Sequence, residues 1–99
     1  MKLVITEAAL EDLQSVRDYT LETWGPDQEK RYLNLIWARF ENLLVESGRY
    51  KRRPDLFPGC QIAAEGKHVI LFRCDIEKLE VVRVLHSAMD FKRHLPPGH

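Results

Sequence analysis

The hydrophobic pattern changes period twice along this 99-residue chain. Lys2–Thr6 alternates, with Leu3 and Ile5 on one side and Val4 on the other, and predicts a short strand. From Ala8 the apolar positions take helical spacing: Ala9, Leu10, Leu13, Val16, Thr20 or Leu21, and Trp24. Glu11, Asp12, Gln14, Asp18 and Glu22 occupy the opposite face. Thr6 suits the N-cap of this helix, and Gly25 ends it. Pro26 then opens a second helix that runs to about Ser47, with a core stripe of Leu33, Ile36 or Trp37, Phe40, and Leu43 or Leu44. With almost no loop between them, the two helices form an antiparallel hairpin. Trp24, at the bend, is expected in the core.

Beyond Gly48 the period shortens. Arg49–Gly59, rich in Pro, Gly and basic residues, reads as a loop. Gln61–Glu65 is a short strand, Gly66-Lys67 a tight turn, and His68–Cys74 a strand apolar enough to be covered on both faces. Asp75–Lys78 turns the chain into a last strand, Leu79–His86. Met89–Leu95 reads as one helical turn, and residues 96–99 as a frayed tail. The expected order is β-α-α-β-β-β: one α+β domain spanning 1–99, with an antiparallel sheet packed on an N-terminal helix hairpin.

Charge refines this picture. The chain is neutral overall, but residues 1–47 carry five Lys/Arg against nine Asp/Glu, and residues 48–99 carry ten against six. The cluster Arg49, Lys51, Arg52, Arg53 supplies much of that excess, either as a solvated loop or as a local binding patch. Overall neutrality argues against a general nucleic-acid binder. The two cysteines, Cys60 and Cys74, are too few and too far apart for a zinc site, and read as small, partly buried hydrophobes. No apolar run is long enough to span a bilayer or form a secretory signal, so a cytoplasmic protein without a membrane role is expected.

The strand Val81-Val82-Arg83-Val84-Leu85-His86 holds the most chemistry. Guanidinium groups at Arg73 and Arg83 beside the His86 imidazole would suit metal-free phosphodiester cleavage, with Lys67 as a further cation. Strand parity opposes this: Val82, Val84 and His86 fall on one face, and Val81, Arg83 and Leu85 on the other, unless a bulge intervenes. The alternative is structural, with Arg83 paired to Asp75 or Asp90 and His86 bonded at the strand end. The residues call for no cofactor and no metal.

Trp24-Gly25, Gln28, Tyr32, Phe40 and Leu43 are followed by Gly48-Arg49 and Gly66-Lys67-His68-Val69-Ile70-Leu71-Phe72-Arg73. Val82-Arg83-Val84-Leu85-His86, Met89-Asp90 and His94-Leu95 complete the series. In this order and spacing the chain resembles the RelE/ParE toxin superfamily, and most of all its ParE branch. The resemblance covers Thr6 to Leu95. It implies a toxin of a type II toxin–antitoxin pair, bound and neutralised by a cognate ParD-like antitoxin through which alone the complex meets operator DNA. ParE-branch members poison DNA gyrase; RelE-branch members cut mRNA on the ribosome. Two departures stand out. Gln61 occupies a position where many ParE-like chains carry arginine, and Ser87-Ala88-Met89 follows His86 with no tyrosine. The second weakens the ribonuclease reading, leaving a non-enzymatic gyrase toxin ahead of a ribosome-dependent endonuclease or an inactive antitoxin-binding homologue. Antitoxin or target contacts are then expected at Trp37, Arg49, Arg52, Arg53, Arg73, Arg83 and Asp90. Trp37 would act as an interface anchor unless it packs against the sheet edge or the other helix.

Overall fold

The computed structural model describes residues 1–95; the tail expected to fray lies outside them. Strand β1 (Lys2–Ile5) leads into helix α1 (Glu7–Trp24) and helix α2 (Pro26–Glu46). After a 3-10 turn at Ser47–Arg49 come β2 (Lys51–Arg52), β3 (Gln61–Glu65), β4 (His68–Cys74) and β5 (Lys78–His86), then a 3-10 turn at Phe91–His94. The α+β architecture with a helix hairpin on the sheet is the expected one.

The sheet order is β1-β5-β4-β3-β2. It differs from expectation in two respects. The sheet is mixed, because β1 pairs in parallel with β5 (Leu3 with Leu79, Ile5 with Val81) while the other pairings are antiparallel. Lys51–Arg52, within the expected loop, adds a two-residue edge strand against Gln61 and Ile62.

The core has two layers, one on each face of the sheet. Ala9, Leu13 and Val16 of α1 and Ile36, Phe40 and Leu43 of α2 meet Ala63, Ile70, Phe72, Leu79, Val81 and Val84. On the other face Leu56, Phe57 and Cys60, from the segment before β3, cover Leu71 and Leu85, with Phe91 and Leu95 packed alongside. Ile70 and Phe72 face the helices and Leu71 faces the loop, so β4 is covered on both sides as its composition suggests. Each fully buried Phe or Leu contributes about 2 kcal/mol. Cys60 is buried, which pushes its thiol up to about 12, whereas Cys74 is exposed rather than partly buried. Trp24 is also not in the core: 68% of its surface is exposed. No helix among the described residues is long and apolar enough to cross a membrane.

Candidate functional site

A β-bulge organises the centre of the molecule. From the Asp75–Lys78 turn the β4–β5 ladder pairs Cys74 with Leu79 and Phe72 with Val81, then jumps to Leu71 with Arg83. Val82 is the extra residue. The inserted residue corrects the expected parity: Val81 and Val84 both pack under the helices, while Val82 packs with Leu85 on the far face. It also advances the register by one position, placing His68 directly opposite His86.

Helix α1 answers the backbone groups that the bulge leaves. Thr6 Oγ1 donates to the Val82 carbonyl at 2.7 Å and caps the helix by accepting from Ala9 N–H at 3.1 Å. Asp12 accepts from Val84 N–H at 2.9 Å. The same carboxylate takes Arg83 in a two-pronged pair, with Nε at 2.7 Å and Nη2 at 2.8 Å. Arg83 Nη1 also donates to the His94 carbonyl, tying the C-terminal 3-10 turn to the sheet. The bond to Asp12 holds the guanidinium above its ordinary pKa. Neither Asp75 nor Asp90 is the partner of Arg83. Asp75 accepts from Glu77 and Lys78 N–H in its own turn, and Asp90 caps the final 3-10 turn through Lys92 N–H.

The other expected contact residues are dispersed. Arg73 lies opposite Glu80, bonded to it at 2.8 Å and stacked over Phe57. Arg73 and Arg83 line one open depression of about 570 Å³ with Phe57, Val82, Arg93 and Leu95. Arg49 pairs with Glu46 and Arg53 with Asp55, while Arg52 is exposed on β2. Trp37 is 41% exposed on the hairpin and sets its ring edge-on to Phe40. Gln61, buried, donates to the carbonyls of Ser47 and Tyr50 and so latches the start of the basic segment.

Arg83 and His86 leave opposite faces of β5, yet the arginine is long enough that both border a depression with Asp12, His68, Met89 and His94. The His86 ring lies edge-on to that of His68, with centroids 5.4 Å apart. His68 Nδ1 meets Tyr32 Oη at 2.6 Å, and His86 Nδ1 accepts from Ala88 N–H. Sequence reasoning missed Asp12, Tyr32 and His68 as members of this group. Tyr32 was legible only as one of the residues that carry the family resemblance, and the place of His68 opposite His86 depends on a register that the bulge sets.

Burial, then the neighbouring His86, holds the His68 pKa below its ordinary 6.5; Asp12 acts in the opposite direction. The folded protein therefore binds that proton less readily than the unfolded chain. This contribution to stability is complete above about pH 6.5 and declines as pH falls through the folded pKa. Urea midpoints should drop between about pH 7.5 and 5.5, and drop less in His68→Gln; equal slopes would remove His68 as the cause.

Comparison with known proteins fits this architecture. Residues 3–91 match the family model described as ParE toxin of type II toxin-antitoxin system, parDE. Toxin ParE of Escherichia coli is 30% identical over 93 residues, covering 93% of this chain and 90% of that protein. Toxin ParE1 of Caulobacter vibrioides is 29% identical over 91 residues, covering 92% and 94%. Among solved structures, a chain of the chromosomal ParDE TA system from P. aeruginosa superposes with a TM-score of 0.74 at 20% identity, covering 87% of this chain and 95% of that one. The chain belongs to the ParE toxin family of type II toxin–antitoxin systems.

Proposed function

We propose that this protein is a toxin that acts on DNA gyrase by protein–protein contact in the cytoplasm and is neutralised by a cognate ParD-like antitoxin. The observation that carries this reading is the match to ParE toxins over nearly the whole chain. The local geometry supports it. Arg73 and Arg83, the cations best placed for a phosphodiester, are each already held by a carboxylate, Glu80 and Asp12. A phosphate would have to displace both partners. The hairpin surface, by contrast, offers exposed Leu10 and Trp37 beside Leu13 and Leu33 along a groove between α1 and α2. An amphipathic antitoxin segment that folds on binding suits such a surface.

The test is a supercoiling assay with purified gyrase, run with and without the product of the adjacent reading frame. The expected result is inhibition of supercoiling by the toxin and its reversal by the antitoxin. Unchanged supercoiling together with in-frame cleavage of mRNA on ribosomes would overturn the proposal.

A further inference from the structure

The bulge-aligned pair His68 and His86 forms a wall between two depressions, and Tyr19 borders both. On the hairpin side lies a recess of about 250 Å³, with Trp24, Gln28, Tyr32 and Lys67 around it. Trp24 and Tyr19 at its mouth are 68% and 64% exposed, so neither ring serves the core. Two aromatic faces left in water beside a polar recess form a stacking platform, a role that suits Trp and Tyr.

The polar wall is set for an anion. His86 Nδ1 accepts the Ala88 N–H, so in the neutral ring the proton sits on Nε2 and that edge donates. His68 Nδ1 is engaged by Tyr32 in the opposite sense. The Tyr32 hydroxyl donates to the Glu65 carbonyl at 3.1 Å and accepts from Lys67 N–H at 3.3 Å. His68 Nδ1 therefore donates to the hydroxyl oxygen, and the donor edge facing an anion is that of His86. Both imidazoles are thus oriented by their Nδ1 atoms, as a preformed site requires. Lys67 adds a full positive charge at the rim. The acidic groups nearby are engaged elsewhere: Asp12 with Arg83 and Glu65 with Arg39.

A flat apolar platform beside an imidazole donor and an ammonium matches an aromatic base carrying a phosphate. We propose that the recess between Trp24 and the His68–His86 pair binds a nucleotide, its base stacked on Trp24 and its phosphate held by His86 and Lys67. The ligand is either a free mononucleotide or an unpaired nucleotide within a single RNA strand. The site is separate from the apolar groove on the outer hairpin surface and stands whether or not gyrase is the target.

Trp37→Phe leaves Trp24 as the sole indole and so as a fluorescence reporter. This protein is titrated with adenosine monophosphate, with a ten-residue oligoadenylate and with inorganic phosphate. Saturable quenching by the mononucleotide is expected, weakened at least about fivefold by His86→Gln or Lys67→Met. Amide chemical-shift mapping of Trp24→Ala should show affinity lost by at least about tenfold with the fold intact. Oligoadenylate binding more than about tenfold tighter identifies RNA as the source, and equal affinity identifies the free nucleotide. Absence of saturation, equal binding of inorganic phosphate, or full affinity in Trp24→Ala would overturn the proposal.

Discussion

Asp12→Ala is expected to lower the unfolding free energy by about 3 kcal/mol, more than any other single truncation of a polar side chain here. The carboxylate does two jobs at once. It neutralises Arg83 through two hydrogen bonds and satisfies Val84 N–H beside the bulge. The side chains of Arg83 and Asp12 are only 20% and 13% exposed, so water replaces the missing partner poorly. Removing one member of a buried pair typically costs about 3–5 kcal/mol, and partial exposure moves this case to the lower end. Arg83→Ala should cost less, about 2 kcal/mol, because Asp12 keeps its bond to Val84 N–H and can be partly hydrated. Arg83→Lys should recover little of that, since an ammonium cannot present a two-pronged donor. The double variant should be less destabilised than the sum of the singles by about 1–2 kcal/mol. Urea unfolding of the parent and these four variants measures all of these. If Arg83→Ala stayed within about 0.5 kcal/mol of the parent and yet lost toxicity, Arg83 would be a target-contacting residue rather than a strut.

What the sequence could and could not reveal follows from the range of each interaction. The hairpin was legible because its signals are local: the Ala9–Leu13–Val16 stripe, the Thr6 cap, and Gly25 at φ +90° followed by Pro26. Trp24 misled because it continues that stripe one turn beyond Thr20, where exposure shows the cover has ended. Lys51-Arg52 gave no strand signal, since two charged residues pair only through backbone atoms. The bulge was hidden because Val81-Val82-Arg83-Val84 fits either register equally well. Its position depends on Thr6 and Asp12, more than 70 residues away in sequence. The same distance concealed the partner of Arg83; Asp75 and Asp90 were nearer along the chain, and each turned out to serve its own turn. The candidate contact residues were therefore readable as types, and their grouping was not.

Gly66→Ala should destabilise the protein by about 3 kcal/mol, through two separable effects. Gly66 sits at φ +58°, where an L-residue is strained by about 1–2 kcal/mol. A Cβ there would also lie 2.6 Å from Tyr32 Cε1 and 2.8 Å from its hydroxyl oxygen. The ring cannot retreat freely, since its hydroxyl is bonded to His68 and to the backbone of the β3–β4 turn. Displacing it forfeits hydrogen bonds worth about 1 kcal/mol each. Two other glycines serve as controls. Gly25 also has a positive φ, and a Cβ added there would meet nothing within 4 Å. Its ψ of 173° lies in the region that essentially only glycine occupies, so Gly25→Ala should show backbone strain of about 1–3 kcal/mol with no clash. Gly48 has neither feature, and Gly48→Ala should be neutral or slightly stabilising. In a Tyr32→Ala background Gly66→Ala should fall to the backbone strain alone, about 1–2 kcal/mol, because the clash has no second party. In a Tyr32→Phe background the penalty should fall part of the way, since Cε1 still meets the added methyl but the ring forfeits no hydroxyl bonds when it moves. Equal cost of Gly66→Ala in all three backgrounds would show that the turn is limited by its backbone and that Tyr32 yields without loss.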